Sequence, residues 1–73
     1  MLANPPVIAR LLGVSRQLAR RRTARGDFGP VKRGLRGTLV VTVSGVELGT
    51  GLRFSDQQLE LVGLRRPIEE DLA

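Results

Sequence analysis

Cysteine, histidine, tryptophan and tyrosine are all absent from this chain of 73 residues. Their absence excludes thiol nucleophiles, disulfides, imidazole acid–base catalysis and zinc sites built on Cys or His. The two phenylalanines, Phe28 and Phe54, are the only aromatics. That is a poor supply for the stacking surfaces on which RNA readers commonly hold bases. Long apolar runs are missing as well. Leu39–Val41, three residues, falls far short of the ~20 that span a bilayer, so no membrane partner is expected. The opening Met1-Leu2-Ala3-Asn4-Pro5-Pro6 has neither a basic n-region nor an apolar h-region, which predicts a cytoplasmic protein. Nor do the carboxylates form an opposed pair. Glu69, Glu70 and Asp71 are adjacent, and Asp56 and Glu60 share one helix face at i, i+4. The expectation is therefore no catalytic residue, no cofactor, no metal and no enzyme activity.

What the chain has is arginine, unevenly placed. Eleven of its twelve cations are arginine, and Lys32 is the other. Residues 1–36 carry nine cations and one acid, Asp27, a net +8; residues 37–73 carry three cations and six acids, a net −3. A basic half beside an acidic half points to a polyanion partner. Arginine's planar fork suits phosphates and guanine edges better than lysine's point charge.

Local signals divide the chain into short elements. Asn4 is an N-cap and Pro5 suits the first helical position. Ile8, Leu11 and Leu12 follow at i, i+3, i+4, and Gly13 stops this helix of about eight residues. Ser15 caps a second helix over Arg16–Arg25, ended by Gly26. At 100° per residue, Arg16, Gln17, Arg20, Arg21 and Ala24 fall on one arc of about 140°, with Leu18, Ala19 and Arg22 opposite. Asp27–Pro30 is a turn in which Phe28 anchors the core. Val31–Arg33 is extended, Gly34–Gly37 is a loop, and the β-branched run Thr38–Val43 reads as a strand. Beyond it two readings stand. Ser44-Gly45-Val46-Glu47 has the spacing of a capping box and favours a short third helix broken early by Gly49 and Gly51. Alternatively Ser44-Gly45 is a turn and Val46–Phe54 returns as a strand. Ser55 caps a last helix over Gln57–Leu64 with Leu59 and Val62 on one face. Pro67 ends it, and Ile68 and Leu72 form one more turn.

Two short helices joined by a Gly-containing turn are the helix-turn-helix pattern. The runs Ile8-Ala9-Arg10-Leu11-Leu12-Gly13-Val14-Ser15-Arg16-Gln17 and Ala24-Arg25-Gly26-Asp27-Phe28-Gly29-Pro30-Val31-Lys32-Arg33 resemble the excisionase-like, MerR-type winged helix-turn-helix family over roughly residues 4–48. The resemblance implies a mainly α protein with a small β-hairpin, an α+β winged helix-turn-helix. The chain is read as a DNA-binding domain at 1–53 and a C-terminal helical segment at 54–73, packed on the core or on a neighbouring protomer, and the resemblance does not extend to that segment. Family members usually carry larger apolar residues where this chain has Ala19, Arg22 and Thr23, so a thin core is expected beneath the second helix.

On this reading the second helix enters the major groove N-terminus first. Arg16, Gln17, Arg20 and Arg21 reach bases or phosphates, Arg22 and Arg25 grip phosphates or fill the flank, and Ser15 reaches a phosphate or simply caps. Lys32, Arg33 and Arg36 form the wing. The alternative for both elements is a solvated basic surface. The expected function is sequence-specific binding of double-stranded DNA by an excisionase-like recombination directionality factor that binds cooperatively, bends DNA and biases a site-specific recombinase. Nucleoid association and self-association along DNA would follow. A minimal transcriptional regulator and a phage assembly or DNA-packaging adaptor remain as alternatives.

Overall fold

Hydrogen bonds at the helix starts show how the sequence punctuates itself. The structure is a computed structural model that describes residues 1–65. Helix α1 spans Pro5–Leu12: the Val7 N–H donates to Asn4 Oδ1 at 3.0 Å, and Gly13, at φ 69°, ends it. Helix α2 spans Arg16–Ala24: the Leu18 N–H donates to Ser15 Oγ at 3.1 Å. Arg25 is the C-cap of α2 rather than its last turn. Helix α4, Asp56–Leu61, begins with a full capping box. Ser55 Oγ accepts from the Gln58 N–H, and Gln58 Oε1 accepts from the Ser55 N–H at 2.8 Å. It is shorter than the predicted Gln57–Leu64, because Val62 already leaves helical geometry.

Helix α3 corrects the expected cap. It spans Val43–Thr50, and its N-cap is Thr42, whose Oγ1 accepts from the Gly45 N–H at 2.9 Å. Ser44 therefore lies in the first turn. The expected box partner, Glu47, instead accepts the Phe54 N–H through Oε2 at 2.8 Å, tying the loop after α3 back to the helix. The same cap shortens the preceding strand to Leu39–Thr42, since Val43 is already helical. The helix also runs through Gly49 and ends at Gly51, φ 74°. The return-strand reading of 46–54 is thereby overturned.

Three antiparallel strands, β1 (Leu2–Ala3), β2 (Lys32–Arg33) and β3 (Leu39–Thr42), lie in the order β1-β3-β2. With α1 to α4 they make a small α+β domain. Strand β1 has no sequence signal: two residues show no period, and only pairing Ala3 with Val41 makes them a strand. Ala3 and Val41 share the buried face, while Leu2 and Thr42 point to the other.

The core gathers Ala3, Ile8, Ala9, Ala19, Phe28, Val41, Val43, Val46, Phe54 and Leu59. Beneath α2 it is thin, as the sequence predicts. Ala19 and Thr23 are the buried residues of that helix, and the Thr23 hydroxyl donates to the Ala19 carbonyl at 2.8 Å. Small side chains let α2 lie close to α1 and β3. A similar economy of volume operates at α3. A Cβ on Gly45 would collide with the Phe28 carbonyl oxygen, and one on Gly49 with that of Asp27. These two glycines let the Asp27–Phe28 turn rest on the helix and drive the Phe28 ring inward. Phe54 and Leu59, from the segment assigned to 54–73, sit in the same cluster as the residues of 1–53. The predicted features at Pro67, Ile68, Glu69, Glu70, Asp71 and Leu72 lie outside the described residues.

Candidate nucleic-acid interface

Helix α2 faces two ways. Arg16, Gln17, Arg20, Arg21 and Ala24 are exposed, whereas Ala19 and Thr23 are buried and Leu18 and Arg22 half-buried. This is the division that 100° per residue predicts. The helix begins against its own electrostatics. No acid lies in its first turn, and Arg16 occupies the first helical position, where the positive end of the helix dipole disfavours a cation. A local rule broken on an exposed face marks a functional surface more often than a structural one.

Opposite α2 stands the β2–β3 loop. The Gly34 N–H donates to the Thr38 carbonyl at 2.6 Å and closes it. Within it Arg36 adopts φ 62°, ψ 21°, a left-handed conformation that costs an L-residue roughly 1–2 kcal/mol. A cleft of about 380 Å³ separates loop and helix. It is lined by Arg16, Gln17 and Arg20 from α2, by Arg36, Gly37 and Thr38 from the loop, and by the apolar Pro5, Pro6 and Leu39. Arg33 pairs with Leu39 in the β2–β3 ladder and so lies on the cleft side, its Nη1 3.8 Å from where a Gly37 Cβ would be. Lys32 pairs with Val40 and lies on the opposite face of the ribbon. None of Arg16, Arg20 and Arg36 has an acidic partner among the described residues.

Other predicted residues stand apart from this cleft. Arg22, half-buried, lines a separate hollow with Leu12, Val14, Asp27, Phe28 and Leu52. Arg25 is engaged: its Nη2 donates to Asp27 Oδ2 at 2.7 Å. That hydrogen bond and the adjacent negative charge raise the guanidinium pKa further, keeping the cation but diverting it. Ser15 is exposed, with Oγ committed to the cap of α2. Arg21 is exposed but is not among the cleft residues.

Sequence reasoning missed two features of the site. Asp27 as the partner of Arg25 was legible, since the pair spans one glycine turn. Pro5, Pro6 and Leu39 as cleft residues were not, because only the sheet brings residues 5 and 39 together. Among the described residues no group of three His, Cys, Asp or Glu side chains is placed to hold a metal ion, and no helix is long and apolar enough to cross a membrane. Compared with known proteins, the chain matches no family model, no curated protein and no solved structure.

Proposed function

We propose that this chain binds double-stranded DNA sequence-specifically as a winged helix-turn-helix, with α1 and α2 as the helix pair and the β2–β3 loop as the wing. One observation carries the reading: Arg16, Gln17 and Arg20 of α2 and Arg36 of the loop line a single cleft with no acidic partner among the described residues. Uncompensated guanidinium groups arriving from two elements suit a polyanion that can meet both at once. Exposure at the start of α2 suits entry into a major groove, where arginine pairs with guanine and glutamine with adenine. The excisionase-like role, with DNA bending and a recombinase as partner, rests on the sequence resemblance. A minimal regulator would use the same surface.

Selection from a random duplex pool tests the reading, followed by competition of the selected duplex against random duplex and RNA. Enrichment of one motif, relaxed at one base position by about 1–3 kcal/mol in Gln17→Ala and in Arg21→Ala, is expected, with Arg16→Ala and Arg20→Ala weakening all duplexes alike. Failure to enrich any sequence, or equal competition by RNA, would overturn it. Bending of the selected site and cooperative occupation of tandem sites would separate the architectural role from simple repression.

A further inference from the structure

We propose that the cleft between α2 and the β2–β3 loop seats one backbone phosphate of the duplex, held by Arg16, Arg20 and Arg36, with the adjoining deoxyribose on Pro5, Pro6 and Leu39. This rests on the DNA-binding reading and goes further, by assigning the chemical group that fills the cleft.

The lining argues for a sugar-phosphate unit rather than a base. Guanidinium groups form charge-assisted, often bidentate bonds to phosphate. Of the rest of the lining, Pro5, Pro6 and Leu39 pack well on a sugar ring, the Thr38 hydroxyl can donate to a phosphate oxygen, and Gln17 alone offers an amide to a base edge. A volume of about 380 Å³ is at the small end of ligand sites, roughly 300–1,000 Å³. It suits a single nucleotide unit of one strand and leaves no space for a duplex.

The loop supplies an independent argument. Arg36 holds a left-handed conformation although glycines stand at positions 34 and 37 of the same loop. A glycine or asparagine at 36 would take that conformation more cheaply. Strain kept at such a position goes with function, and here it places a third cation against Arg16 and Arg20. Those two already repel each other at i, i+4 on α2. An anion between the three relieves the repulsion, which no acid among the described residues does.

The test scans the selected duplex with single methylphosphonates, each removing one phosphate charge. The wild type should show one position per bound protomer where neutralisation weakens binding about tenfold or more, as loss of a charged hydrogen-bond partner does. In Arg36→Gly, which keeps the loop conformation, and in Arg20→Ala that position should become insensitive. In Lys32→Ala, altered on the other face of the ribbon, it should stay sensitive. If the duplex is bound specifically but the same phosphate stays sensitive in Arg36→Gly, or sensitivity is spread evenly, the phosphate seat is wrong and the DNA-binding reading stands. If no duplex is bound, both fall. A parallel titration with inorganic phosphate, followed through the amide resonances of residues 16–20 and 36–39, distinguishes the source. Saturation by inorganic phosphate in a protein that ignores DNA would overturn the backbone assignment.

Discussion

On the proposed DNA-binding reading, Arg36 and Asp27 act on affinity in opposite directions. For Arg36 the left-handed backbone costs roughly 1–2 kcal/mol, and glycine would forfeit roughly 0.5–1 kcal/mol in unfolded-state entropy. Arg36→Gly is therefore expected to raise stability by about 0.5 kcal/mol while weakening DNA binding. Thermal unfolding and duplex titration on the same preparation would show the opposite signs. Asp27 works the other way, by occupying Arg25 at 2.7 Å. Asp27→Asn should free that cation, tighten binding and steepen the log–log salt dependence by up to ~0.9. The pair is exposed, so the melting temperature should hardly move. An unchanged salt slope would show that Arg25 plays no part in binding even when free.

At the scale of elements, α3 departs most from its sequence appearance. Its start has two candidate caps, and the structure uses Thr42. Thr42→Ala should cost about 1 kcal/mol, whereas Ser44→Ala, in the exposed first turn, should stay within about 0.5 kcal/mol. Chemical denaturation of both variants would reverse that order if the Ser44 box were the true start. Gly45 and Gly49 carry the second contrast. Alanine usually stabilises a helix relative to glycine by roughly 0.5–1 kcal/mol. Here each added Cβ meets a backbone carbonyl of the Asp27–Phe28 turn, so Gly45→Ala and Gly49→Ala should destabilise by about 1–3 kcal/mol. In a domain of this size each kcal/mol lowers the melting temperature by about 4–8 °C.

Across the whole molecule, the question is whether the acidic C-terminal part is an appendage or a component. Leu59 is 0% exposed and Phe54 3%, inside the cluster that also holds Ile8 and Val46. Leu59→Ala should cost about 2–5 kcal/mol. Leu61→Ala, at a position 74% exposed, should cost less than about 0.5 kcal/mol. Truncation after Arg53 removes both buried side chains, and a small domain has only about 5 kcal/mol to lose. Its circular dichroism should be that of an unfolded chain. A folded truncation product would return the segment to a role outside the core, such as contact with a second copy.

The sequence by itself determined the helix starts at Asn4, Ser15 and Ser55, because a capping oxygen and its N–H lie three residues apart and need nothing distant. It also determined which face of α2 is basic, since helical periodicity alone separates Arg16, Gln17, Arg20 and Arg21 from Ala19. Only the tertiary structure decided the rest. Strand β1 exists because Val41 is there to pair with Ala3. The α3 cap fell to Thr42 because the chain leaves β3 at that point. Gly45, which reads as a box or turn residue, and Gly49, which reads as a helix breaker, are where a turn from residues 27–28 comes to rest. The candidate site divides along the same line. Its arginines were visible as a cluster in the chain. The tie of Arg25 to Asp27 and the place of Arg22 behind the helix follow from local spacing, but which arginines share a cleft with Arg36 was settled by contacts between residues far apart in sequence. Local patterns carry no information about those contacts.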